Sequence, residues 1–118
     1  MIRPILLSVL LLAITADAEA RPCSAIQAND ALVQCLGNEF ARSDAQLRQR
    51  TSALRKTMSK DQQDLLRKAQ ASWLVVRDSD CELQASWVEG GQAYQPTFIA
   101  CQTTKTRQRM SELDRLGQ

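Results

Sequence analysis

The residues of this chain that could do chemistry are few, and their types exclude more than they suggest. The 118 residues contain no histidine. Ser-His-Asp and Cys-His nucleophile arrangements, histidine zinc sites and histidine pH switches are therefore ruled out. Four cysteines are present, Cys23, Cys35, Cys81 and Cys101. With no Cys-x-x-Cys pair and no histidine to complete a ligand set, they do not read as a metal site, and no cofactor is expected. Asp78, Asp80 and Glu82 stand close in sequence as acid–base candidates. Asp80 stands two positions from each of the others, however, and so points in a different direction on a helix, and the three carboxylates would not share a cleft. No catalytic residue is expected, and the chain does not read as an enzyme. What remains suits binding and packing. Gln70, Trp73 and Arg77, at spacings of three and four, fall on one helical face.

The elements that must position these residues are helical. Leu32, Leu36, Phe40, Leu47, Leu54 and Met58 recur at spacings built from three and four, which predicts a first helix. Ser59-Lys60-Asp61-Gln62 has the form of a capping box and predicts the start of a second. Its apolar stripe is expected to run through Leu66, Ala69, Trp73, Val76, Leu83 and Trp87. Gly90-Gly91 breaks the pattern. Pro96 suits a helix N1 position, so a third helix is expected from about Thr97. Ile99, Thr106, Met110, Leu113 and Leu116 would form its inner face, and Gly117 would be its C′ residue. No stretch alternates apolar and polar residues as a strand would. The expected fold is all-α, a small antiparallel bundle of about three helices.

The first twenty residues read as an address rather than as part of the bundle. Arg3 precedes an apolar run from Ile5 to Ala16 that is too short for a bilayer, which needs roughly 20 apolar residues. Ala16-Asp17-Ala18 and Ala18-Glu19-Ala20 supply small-x-small cleavage patterns. Residues 1–20 are thus expected to be a signal peptide, cleaved near Ala18 or Ala20, and residues 21–118 the working domain, periplasmic or secreted. Arg21-Pro22 directly before Cys23 does not suit a lipoprotein signal, so no stable membrane anchor is expected. The net charge is +2. Cleavage after Ala20 removes one base and two acids and makes it +3. That is not a strongly basic domain, and nucleic acid is not an expected partner.

Export makes disulfides the default for an even cysteine count. Of the three possible connectivities the local one, Cys23–Cys35 with Cys81–Cys101, is preferred on a condition. If residues 23–35 formed one helix, the two Cα atoms would lie roughly 18 Å apart, beyond disulfide reach. The first helix must therefore begin near residues 28–30, with Cys23 folded back on it. Asn29 and Asp30 are suitable N-cap types for that start. Each bridge would stabilise the domain by about 2–4 kcal/mol.

Several spaced residues together resemble a known pattern. Leu65-Leu66, Ala69-Gln70, Trp73, Arg77-Asp78 and Cys81 are followed by Gly90-Gly91, then by Cys101, Thr106, Arg109 and Glu112-Leu113. Upstream stand Cys35, Phe40, Asp44 and Leu47. This resembles the LprI-type lysozyme-inhibitor family over nearly the whole domain, with Gln70, Trp73, Arg77, Asp78, Gly91, Thr106 and Arg109 as motif positions. Where the family often carries Asn and Tyr, this chain has Arg48 and Thr51. The resemblance implies an exported all-α domain with two disulfides, which binds and occludes a lysozyme. A non-inhibitory periplasmic interaction or scaffold module is the alternative.

The motif residues read first as packing and ties. Trp73 would anchor the core, and Gln70 and Arg77 would bond neighbouring helix ends or carboxylates. Arg109 is expected to pair with an acid of the first helix, Asp44. The basic run of Arg48, Arg50, Arg55 and Lys56 reads as a solvated face. Partner-binding candidates lie between Cys81 and Cys101, where a closed loop would display Trp87, Glu89, Tyr94 and Phe98. A preorganised loop loses less entropy on binding.

Overall fold

The computed structural model describes residues 22–116 and 118. The signal-peptide stretch and Gly117 lie outside the described residues. A short 3-10 turn, η1 (Cys23–Ala25), precedes three helices, α1 (Asn29–Arg55), α2 (Lys60–Ser86) and α3 (Tyr94–Asp114). The described residues contain no strand. The expected all-α bundle of three helices is thus what the chain forms.

The local signals explain most of the boundaries. At the start of α2 the Ser59 hydroxyl accepts from the Gln62 amide, and the Gln62 side chain accepts from the Ser59 amide, a complete capping box. Two orphan donors of the first turn are thereby satisfied. Helix α1 starts within the expected range, but its cap differs. Its N-cap is Ala28, with no side-chain cap. Asn29 and Asp30 are already inside the helix, and the Cys23–Cys35 bond secures this end in place of a cap. Helix α3 begins at Tyr94 rather than near Thr97, which puts Pro96 third in the helix. Proline is tolerated there because the first-turn amides have no intrahelical acceptor.

The disulfides join Cys23 to Cys35 and Cys81 to Cys101, with Cα separations of 5.7 and 5.5 Å. The first folds η1 back onto α1; the second ties the end of α2 to α3. Helix α3 is the central element, packing along both α1 and α2, whereas α1 and α2 scarcely approach each other. Arg50 near the end of α1 pairs with Asp114 at the end of α3, so α1 and α3 run in the same direction and α2 runs against them.

The apolar core is thin. Leu47, Leu66, Met110 and Leu113 are buried, and Leu54, Met58 and Trp73 pack against them. The expected stripe of α2 is corrected here. Leu66 and Trp73 face inward, but the inner face continues through Arg77, Cys81 and Ala85. Ala69, Val76, Leu83 and Trp87 are exposed. Two apolar patterns overlap on this helix, and a single stripe drawn through both mixes an inner row with an outer one. Leu116 is also exposed, in the turn that follows α3.

With so few buried aliphatics each one counts. Leu47→Ala is expected to cost about 2–4 kcal/mol of unfolding free energy, read by urea denaturation of the oxidised protein.

Candidate functional site

The motif residues converge where the three helices meet. Arg77 projects from the inner face of α2 and is 6% exposed. A buried guanidinium is costly unless its charge and donors are matched, and here Nε, Nη1 and both faces of the group are engaged. Its Nε donates to Asp78 Oδ1 at 2.8 Å. Its Nη1 donates to the Thr106 hydroxyl of α3 at 3.5 Å and lies 3.8 Å from Asp44 Oδ1 of α1. The guanidinium carbon sits 5.1 Å from the Phe40 ring centre and 5.3 Å from that of Trp73, within cation–π range of both.

A second guanidinium completes the cluster. Arg109 of α3 lies 5.8 Å from the Trp73 ring centre, so the indole is flanked by two cations. Arg109 Nε donates to Gln70 Oε1 at 2.7 Å, and its Nη1 donates to Glu112 at 2.9 Å. Gln70 in turn donates to the Thr51 hydroxyl at 3.5 Å, and Thr51 donates to the Leu47 carbonyl at 2.8 Å. This relay crosses α3, α2 and α1. The expected Arg109–Asp44 pair is not formed. Asp44 is shared by Arg77 and Arg48, because Arg109 stands about one turn further along α3 than Thr106, level with Gln70.

Sequence reasoning overlooked Gln102. It is buried, and its Nε2 donates to Asp78 Oδ1 at 3.0 Å. Its spacing of four from Thr106 was the available signal, hidden because both residues are polar. Burial alone would raise the Asp78 pKa, but hydrogen bonds from Arg77 and Gln102 and the Arg77 charge outweigh it and hold the carboxyl below its usual 3.8. The neighbouring acids go elsewhere. Asp80 pairs with Lys105 at 2.7 Å, and Glu82 is exposed. The three carboxylates do not share a cleft.

Beside the cluster, α1 and α2 diverge around a cleft of about 590 Å³. Leu47, Thr51, Gln70 and Leu74 line it, with Arg48 and Arg55 also contributing. Arg48 and Thr51, the positions that depart from the family's pattern, both border this opening.

The other candidates lie at the far end of α2. Trp87 caps the helix and is 86% exposed, and Glu89 is exposed beside it. Tyr94 is not part of the loop. It is the first residue of α3, half-buried and stacked on Phe98 with ring centres 6.4 Å apart. Only Trp87 and Glu89 of the expected display therefore face solvent freely. Of the glycine pair, Gly90 adopts φ +82°, which an L side chain rarely adopts. Gly91 does not have a positive φ. It carries the turn hydrogen bonds, donating to Val88 and accepting from Tyr94.

Two outcomes follow from this geometry. Arg77→Lys is expected to cost about 3 kcal/mol, because an ammonium cannot span Asp78, Thr106 and two rings; thermal or urea unfolding reads it. Asp78 has a lowered pKa in the folded state, so its contribution is present above the ordinary carboxylate range and is lost as pH falls through the folded value. The stability gap between wild type and Asp78→Asn should therefore narrow below about pH 4, measured by denaturation between neutral and acid pH.

The same residues carry the comparison with known proteins. The family model described as lysozyme inhibitor LprI matches residues 21–113. Searches of the curated proteins and of the solved structures found no match. The match spans η1 and all but the last residue of α3, including both disulfides and the two-arginine cluster around Trp73, and on that extent the chain belongs to the LprI lysozyme inhibitor family.

Proposed function

We propose that this protein is an exported inhibitor that binds a lysozyme and occludes its catalytic cleft. The observation that carries this reading is the family match over residues 21–113. Such an inhibitor needs no chemistry of its own; it only has to block access to two catalytic carboxylates. The end of α2 suits that task. Trp87 stands clear of the bundle at 86% exposure. The Cys81–Cys101 bond and the two flanking helices hold its short loop, so little freedom is lost on binding. Trp is a typical hot-spot residue, and Glu89 offers a negative contact to a basic partner. Export rests on the signal-peptide pattern of residues 1–20, which precede the matched segment. No described helix is long and apolar enough to cross a membrane.

The second reading is a non-inhibitory envelope module that binds another exported protein. The net charge favours it, since +2 or +3 would not steer the protein towards basic lysozymes.

Residual muramidase activity, measured for several lysozyme classes with the oxidised protein in excess, separates the two. Inhibition of at least one class is expected, weakened about tenfold or more by Trp87→Ala. Activity unchanged for every class would overturn the inhibitory reading.

A further inference from the structure

The outer face of α2 has no partner within the chain. Leu65, Val75, Val76 and Leu83 are 65%, 67%, 55% and 65% exposed. They belong to a regular row. Leu65, Ala69, Ser72, Val76, Ser79 and Leu83 alternate at spacings of four and three, the seam of a two-helix coiled coil. Helix α3 covers the row of Leu66, Arg77, Cys81 and Ala85 and leaves this seam beside it exposed.

The row is complementary to itself when reversed. Laid antiparallel about a two-fold axis near Leu74, Leu65 meets Leu83 of the second copy, Ala69 meets Ser79, and Ser72 meets Val76. Val76 opposes the small Ser72 at the middle of the seam, the small Ala69 and Ser79 oppose each other next to it, and the large Leu65 and Leu83 meet at its ends. A shallow apolar groove of about 250 Å³ lies at one end of the seam, between α2 and the end of α3, bordered by Leu65, Ala69, Arg109 and Leu116; in this register the second copy's Leu83 would reach its edge. The flanking positions agree. On the side away from the core they are Lys68, Val75 and Glu82. In the antiparallel register Lys68 faces Glu82 of the other copy, twice, and the two Val75 side chains meet on the axis. Lys68 and Glu82 are in no ion pair among the described residues. A parallel pairing would set Lys68 beside Trp73, which is half-buried in its own core.

We propose that the protein forms an antiparallel homodimer through the outer face of α2, with Leu65, Val76 and Leu83 as its seam and Lys68–Glu82 pairs at its flanks. The α2–α3 loops then lie at opposite ends of the dimer, about a helix length apart, and the α1–α2 cleft stays open on each copy. The dimer is independent of lysozyme inhibition.

Sedimentation equilibrium of the oxidised protein from roughly 1 µM to about 1 mM tests this, since interfaces of modest size reach micromolar affinity. A species of twice the chain mass is expected to grow with concentration. Val76→Glu should weaken association about tenfold or more while circular dichroism and both disulfides stay unchanged, because the residue is exposed in the monomer. Lys68→Glu should weaken it several-fold at low salt, and Lys68→Glu with Glu82→Lys should restore it, which only the antiparallel register allows. A chain that stays monomeric throughout, or a dimer indifferent to Val76→Glu, would overturn the proposal. So would failure of the charge swap to restore association.

Discussion

Burying one guanidinium constrains the rest of this fold. Arg77 sits at the meeting point of three helices, and its charge must be met there. Helix α2 supplies Asp78 and Trp73, α1 supplies Asp44 and Phe40, and α3 supplies Thr106. Because α1 and α2 scarcely approach each other, this side chain and the Gln70–Thr51 contact are the ties that span the gap between them. Moving any helix by a turn would leave a charged or polar group unmatched. The cluster therefore sets the register as well as contributing to stability.

The polar cluster and the disulfides compensate for a small apolar core. Leu47, Leu66, Met110 and Leu113 are the aliphatic centre, and long stretches of α2 are not drawn into it. One bridge closes the start of α1, and the other closes the α2–α3 turn. Held in this way, the bundle can leave apolar residues on its outside. Leu65, Val75, Val76, Leu83 and Trp87 are exposed for that reason.

Much of this was legible in the residues. The helix count, the Ser59 capping box, the late start of α1 and the disulfide pairing all rest on short-range rules. A capping box is four residues long, and a disulfide limits a Cα separation to a few ångströms. The common face of Gln70, Trp73 and Arg77 follows from helical spacing alone. The errors share one cause. Periodicity reports that a residue is apolar and on a given arc, but not which arc another helix will cover. Hence the spacing alone points Val76, Leu83 and Trp87 inward, although α3 covers the arc beginning at Leu66 and continuing through Arg77.

Partner choice among charges was likewise beyond the sequence. Asp44 and Arg109 are of opposite sign and on different helices, yet their levels along the bundle differ, and Gln70 and Glu112 take Arg109 instead. The sequence by itself determined which segments are helical, where α2 begins, and which cysteines could meet, because neighbours along the chain decide these. Tertiary structure alone decided which face of α2 is inside, that Gln102 belongs to the buried cluster, and that Arg77 faces all three helices. Those outcomes depend on how separate helices stack and on the need of a buried charge for partners distant in sequence.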